Sequence, residues 1–309
     1  MIQKLISLSA LFRLPNLLIL ALSVYIYSYD TLYPSLAAGG MHGSLRFKDF
    51  ILLLFIIMCT GAGGYIHNDI LDRKSDSINE KRGIVGNNIK LSLAWIYYWF
   101  VVVAPIPFVF SLSSEISNFN YIYAYLIVVF LLFAYNRFLK RLPLIGNITV
   151  ASLCTYVFLL PITIEISKMQ SLKSINPSAF QNCLKITLCF SFFVFLTHLI
   201  REIIKDAEDL EGDKSSGFMT LPVLISAFNL RNILLVLEGI LLLGILYWVS
   251  AFNLWNTITF INLILLTPLT IWIIYRTYTA ELKTDYGYLS VQLKYLMMAG
   301  IVSLSITNL

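Results

Sequence analysis

Two acidic clusters in this chain share one spacing. Asp69, Asp72 and Asp76 stand at i, i+3 and i+7, and Asp206, Asp209 and Asp213 repeat the pattern. On a helix, steps of three and four residues bring side chains to one face, so each cluster is expected to present its carboxylates together. Three like charges on one face repel, and a hard divalent cation with oxygen ligands relieves that repulsion. Mg2+ is the typical choice, and it leaves coordination positions open for phosphate. Two such faces predict a diphosphate held between metal ions. Ten of the 17 Asp and Glu residues lie in the stretches 69–80 and 202–213. The plain alternative is a pair of solvated charged loops, which would not need a duplicated spacing.

Basic residues accompany the acids. Arg73 and Lys74 interleave the first cluster, Arg201 and Lys205 precede the second, and Arg137, Lys140 and Arg141 end another apolar run. Arg grips phosphate oxygens with two donors, and Lys supplies a point charge. Arg73, Arg137, Lys140 and Arg201 are the candidate diphosphate grips; Lys81, Arg82 and Arg141 read as anchors at the membrane surface. His67, just before the first cluster, and His198, one turn before Arg201, are further candidates for contact with diphosphate or acceptor. Asn147 is a polar residue inside an apolar run, a functional hypothesis by default. Glu165 reads as an outer-loop residue, and Gly61, Gly63 and Gly64 as sites of close helix contact. No GxGxxG, P-loop or Ser-His-Asp arrangement is present.

These side chains must be positioned by membrane helices. The chain is 58% hydrophobic and 13% charged, with a mean hydropathy of +0.79, which excludes a soluble domain of 309 residues. Apolar stretches predict nine spans near 14–34, 49–67, 91–112, 119–136, 144–166, 181–204, 229–250, 256–276 and 288–307. The first run is too long for a signal peptide and is followed by eight more. The four cysteines lie in apolar runs without CxxC spacing and read as buried thiols. With nine spans, 17 of the 22 Lys and Arg residues fall on the side of the N-terminus. That side is therefore cytoplasmic, the C-terminus is outside, and both acidic clusters face the cytoplasm. The net charge of +5 is this bias and does not point to nucleic acid. Each cluster ends an even-numbered span and leads into a polar loop, about 68–90 and 201–222. The clusters lie roughly four spans apart, which predicts a parallel internal repeat. The whole chain, 1–309, reads as one domain.

Asn68-Asp69-x-x-Asp72-x-x-x-Asp76 after the second span and Asp206-x-x-Asp209-x-x-x-Asp213 after the sixth resemble the paired motifs of the UbiA-type intramembrane prenyltransferases. The resemblance covers nearly the whole chain. It implies an all-α bundle of nine transmembrane helices around a central cavity and transfer of a prenyl group from a prenyl diphosphate. Arg13-Leu14-Pro15-Asn16-Leu17-Leu18, the stretch Leu139 to Asn147 and the stretch Arg201 to Asp213 are similar to the branch that makes digeranylgeranylglyceryl phosphate, an ether-lipid precursor. Members that prenylate aromatic acids often carry Tyr-x-x-x-Lys after the fourth span, whereas here four residues separate Tyr135 from Lys140.

The resulting expectations are specific. Asn68, Asp72 and Asp76 on one side, and Asp206, Asp209 and Asp213 on the other, are the expected ligands of Mg2+. Asp69 is expected to bridge or support them, and Asp69, Asp209 and Lys140 to lie nearest the chemistry. The expected donor is geranylgeranyl diphosphate or a similar chain, and the expected acceptor a prenylglycerol phosphate or comparable lipid alcohol. Three alternatives stay open: prenylation of an aromatic quinone precursor, intramembrane terpene cyclisation, and transport of an anionic lipid or metabolite. A transporter would more often carry its ionisable residues near the bilayer midplane.

Overall fold

A computed structural model describes residues 2–78, 83–251 and 262–305. In chain order its α-helices are α1 (Ile2–Leu11), α2 (Leu14–Ile26), α3 (Tyr33–Ala37), α4 (Phe47–Leu71), α5 (Arg73–Ile78), α6 (Leu91–Val103), α7 (Ile106–Glu115), α8 (Asn120–Arg137), α9 (Ile145–Ile164), α10 (Ile166–Ile175), α11 (Pro177–Glu208), α12 (Leu210–Ser215), α13 (Leu221–Leu224), α14 (Ala227–Ala251), α15 (Thr267–Tyr278) and α16 (Lys283–Ser305). Among the described residues there is no strand, as the all-α expectation requires.

Among the described residues, six helical segments are long and apolar enough to cross a membrane: Phe47–Leu71, Leu91–Glu115, Asn120–Arg141, Ile145–Ile164, Pro177–Glu208 and Ala227–Trp248. They match the second to the seventh expected spans. The expected first span is a helical run broken by the π-helical turn Tyr27–Leu32 between α2 and α3. Of the eighth, residues 256–261 lie outside the described residues, and the rest is Asn262–Leu266 followed by α15. The ninth is α16, which is long but carries Lys283, Asp285 and Lys294; residues 306–307 lie outside the described residues. So do Lys81 and Arg82, the expected anchors. Large apolar side chains such as Phe100, Phe130 and Leu243 are about two-thirds exposed, which lipid tolerates and water does not.

The chain divides into two compact units, 1–21 with 44–149 and 211–219, and 22–43 with 150–210 and 220–309. In the first, Leu17, Ala62, Ile66, Ile70, Ala94, Tyr98 and Val101 form the core. The expected glycine contacts are found there. A Cβ at Gly61 would sit 2.7 Å from Leu17, one at Gly63 3.1 Å from Val102, and one at Gly64 3.2 Å from Leu132, so small residues let these helices approach closely. In the second unit, Tyr27, Phe158, Leu172, Phe190 and Trp248 pack into one cluster. Phe190 and Trp248 meet edge to face at 4.1 Å.

The second motif is not the loop expected over 201–222. α11 starts at Pro177 behind the Asn176 cap, whose side chain accepts from the Ala179 amide. It runs for 32 residues, about 48 Å at 1.5 Å per residue, well beyond the roughly 30 Å hydrocarbon core. The helix therefore carries Arg201, Glu202, Lys205 and Asp206 on its last turns. Polar composition suggested a loop; backbone hydrogen bonds that need no apolar partner kept the helix going. The first motif likewise lies on α4 and α5 and not in a loop.

Candidate active site

Both motifs break at their second aspartate. In the first, Asn68 and Asp69 lie in the last turn of α4, and Asp72 is its C-cap, with φ −87° and ψ 1° and its amide donating to the Asn68 carbonyl at 2.9 Å. The six-residue α5 follows, carrying Asp76. In the second, Asp206 lies on α11 and Asp209 is its C-cap, with φ −96° and ψ 7° and its amide donating to the Lys205 carbonyl at 2.9 Å. The six-residue α12 follows, carrying Asp213. This corrects the expectation of one continuous helical face. Steps of three and four residues are compatible with an unbroken helix, and also with a helix that ends on the middle residue and restarts. The two motifs share the second geometry.

In the first compact unit, the oxygens of the motif meet cations. Lys140 Nζ forms an ion pair with Asp72 Oδ1 and donates to Asn68 Oδ1 at 3.3 Å. The Lys140 side chain is 9% exposed and that of Asp72 17%. Asp69, buried, accepts from Arg13 Nη2 at 2.8 Å, and the Arg13 guanidinium lies 4.9 Å from the Tyr65 ring centroid. Of the other expected grips, Arg73 is exposed and its Nε donates to the Ile70 carbonyl at 3.0 Å, and Arg137 is exposed. Asp76 is half-buried. Asp213 is buried and, by the division at Glu211, belongs to this unit, whereas Asp206 and Asp209 belong to the other.

Lys140 is presented by the 3-10 turn Leu139–Arg141. Three features hold that turn. Leu144 adopts φ +62°, reversing the chain before α9. The Arg141 carbonyl accepts from the Met219 amide at 2.9 Å, and the Arg141 guanidinium lies 5.0 Å from the Phe218 ring, so Arg141 secures this turn. Finally, a Cβ on Gly146 would lie 2.7 Å from Lys140 Cα and 3.1 Å from the Leu139 carbonyl oxygen. Only glycine permits that approach to backbone. Gly146→Ala is therefore expected to push the turn away, with a loss of about 1–3 kcal/mol of stability and a fall in kcat/KM of about tenfold from the displaced ammonium. Thermal melting and steady-state kinetics on one preparation check this; wild-type values in both would show that the close approach is dispensable.

In the second unit, Glu202 is the hub. It is buried, its Oε1 and Oε2 accept from Lys205 Nζ at 2.9 and 3.0 Å, and its Oε1 accepts from Arg201 Nη1 at 3.4 Å. Arg201 Nε also donates to the Ser290 carbonyl at 3.4 Å. Asp206 and Asp209 are half-buried. A Cβ at Gly287, near the start of α16, would lie 3.3 Å from Glu208 Oε1.

The remaining candidates fall as follows. His67 is buried among Phe133, Tyr98 and Trp95, its ring stacked on Phe133 at 5.1 Å. It lines a small cavity with Asn136, whose Nδ2 donates to the Gly64 carbonyl at 3.0 Å. His198 Nδ1 lies 2.8 Å from the Val194 carbonyl of its own helix, and Asn147 is buried. Glu165 is not an exposed loop residue: it is buried at the start of α10 and pairs with Lys168 at 3.3 Å, because α9 and α10 are separated by that residue alone. Sequence reasoning did not assign Arg13 or Glu202 to the site. Arg13 lies 56 positions from Asp69, beyond any local pattern, but the i, i+3 spacing of Glu202 and Lys205 was a usable signal.

Among the described residues, no three His, Cys, Asp or Glu side chains converge on one metal position. The donor chemistry nevertheless fits Mg2+. Asn68 Oδ1 and Asp72 Oδ1 are hard oxygen donors that already meet on one cation, the Lys140 ammonium.

The chain resembles known proteins in sequence and in fold. The profile described as the UbiA prenyltransferase family matches residues 31–286. A digeranylgeranylglyceryl phosphate synthase of Sulfolobus acidocaldarius is 28% identical over 194 residues, covering 62% of this chain and 63% of the relative; the chain thus spans under two thirds of the length of that curated relative. A solved structure concerned with digeranylgeranylglyceryl phosphate synthase in membranes superposes with a TM-score of 0.64 at 21% identity, covering 99% of this chain and 98% of the other. A UbiA homologue from Archaeoglobus fulgidus bound to GPP and Mg2+ superposes with a TM-score of 0.60 at 14% identity, covering 97% and 100%. At these identities the likeness is one of fold.

Proposed function

Because the chain belongs to the UbiA prenyltransferase family, a family of multi-pass membrane proteins, we propose that it transfers a polyprenyl group, geranylgeranyl, from a prenyl diphosphate to a prenylglycerol phosphate or a similar lipid alcohol, with Mg2+ as cofactor. The observation that carries this reading is the duplicated motif geometry. Each motif ends a membrane helix with an aspartate cap, restarts in a six-residue helix and lies beside lysine and arginine.

In the proposed reaction the allylic C–O bond breaks, the electron pair leaves with the diphosphate, and the acceptor hydroxyl attacks the allylic cation and passes its proton to the released diphosphate. Asn68, Asp72 and Asp76, with Asp206, Asp209 and Asp213, would hold Mg2+; when bound, it neutralises charge on the departing diphosphate. Lys140, Arg73, Arg137 and Arg201 bind diphosphate oxygens. Arg13 holds Asp69 in place, and Glu202 fixes Arg201 and Lys205 at the end of α11. The apolar, aromatic interior expected for the bundle shields the cation from water until the acceptor attacks.

Nine spans, a parallel repeat and a single domain over 1–309 complete the proposed architecture. The basic-residue bias supports a cytoplasmic N-terminus in the cytoplasmic membrane, with both motifs facing the cytoplasm. Cysteines placed at Ile78 and Ser216 are expected to resist impermeant reagents added outside intact cells; labelling of either would reverse the orientation. The reaction itself is tested by incubating purified protein with labelled geranylgeranyl diphosphate and a panel of acceptors and identifying products by mass spectrometry. A cyclised hydrocarbon without acceptor, or no product at all, would replace this reading with cyclisation or transport.

A further inference from the structure

Resting on the Mg2+-dependent reading above, we propose that Lys140 is a tethered counter-cation: its ammonium occupies the Asn68–Asp72 oxygen pair in the metal-free protein and must yield that pair when a divalent ion is bound. The pair of oxygens expected to ligate metal is the pair that Lys140 Nζ contacts. The Asp72 and Lys140 side chains are largely withdrawn from solvent, where a carboxylate without a positive partner is costly. The ammonium removes that cost. The same low-dielectric setting prevents an ammonium and a divalent ion from sharing two oxygens, because their repulsion at such distances is strong.

The surroundings make Lys140 the movable part. Its backbone is pinned on two sides, by the close approach of Gly146 and by the Met219 amide on the Arg141 carbonyl. A change at this site therefore falls on the side chain. A lysine suits the task, being a point charge on a flexible four-carbon stem, whereas an arginine fork would grip both oxygens at once. Asp69 is already held by Arg13, so the displaced ammonium is left for an incoming anion. Metal affinity is then set partly by a competitor the protein carries itself, and the Asp72 carboxylate has a positive partner with or without the ion.

The test uses the full chain in detergent without substrate and reads Mn2+ binding directly, by the electron paramagnetic resonance of the free ion, with Mg2+ as competitor. Lys140→Met and Lys140→Gln are expected to bind Mn2+ at least about tenfold more tightly than wild type, since the competitor is gone. Lys140→Arg is expected to bind no more tightly than wild type, and Asp72→Asn more weakly. Lys140→Met should also melt below wild type without metal and gain more from Mn2+ than wild type does. Equal or weaker binding by both neutral variants, with weaker binding by Asp72→Asn, would overturn the counter-cation role and leave the metal site standing. Unchanged binding by Asp72→Asn would instead remove the metal-dependent reading itself, and this inference with it.

Discussion

Asp72→Ala and Asp209→Ala are each expected to lower kcat at least about a hundredfold, equivalent to about 2.7 kcal/mol of transition-state stabilisation. Each aspartate caps a membrane helix at a matching break in its motif, and a diphosphate leaving group needs its developing charge met on every side. The double variant should be little worse than either single one, because groups that act as a unit lose their whole effect with the first removal. EDTA should abolish turnover and added Mg2+ restore it. Asp209 is only half-buried, so the melting temperature of Asp209→Ala should change little, which separates lost chemistry from lost fold. Near-normal turnover by Asp209→Ala, or full activity in EDTA, would reduce the acidic motifs to solvated helix ends.

The second large effect concerns the acceptor. With geranylgeranyl diphosphate as donor, a prenylglycerol phosphate is expected to be prenylated and 4-hydroxybenzoate left unmodified. The stretch Leu139 to Asn147 is similar to the ether-lipid branch, and it builds the turn that delivers Lys140 to Asn68 and Asp72. The lysine sits one residue beyond the position that follows Tyr in the aromatic-acid pattern. On a turn closed by Leu144 and Gly146, a one-residue shift redirects the side chain. Robust prenylation of 4-hydroxybenzoate with none of the lipid alcohol would reverse the assignment and make the chain a quinone-pathway type of enzyme.

Hydropathy located the second to seventh spans because the length and apolarity of a membrane helix are properties of contiguous residues. It missed how far α11 runs past the hydrocarbon, since the polar residues from Arg201 to Glu208 read as loop while their backbone stays hydrogen-bonded in a helix. The triplet spacing singled out the aspartates that sit at these helix ends but not their geometry. Asp69 to Asp76 and Asp206 to Asp213 each straddle a helix end, and residue spacing does not distinguish a helix that continues from one that stops and restarts. The glycines Gly61, Gly63 and Gly64 were legible as contact points, whereas the backbone approach at Gly146 depends on where a turn six residues upstream returns in space.

The sequence by itself determined a helical membrane protein, the positions of two acidic motifs at the ends of long apolar runs, and the basic residues that accompany them. These follow from composition and local period. Only the tertiary structure decided the pairings. Arg13 meets Asp69 across 56 positions and Lys140 meets Asp72 across 68, and buried Glu202 gathers Arg201 and Lys205. The physical reason is that a buried charge must find its counter-charge wherever packing puts one, and for two of these three sites packing brought the partner from a distant part of the chain.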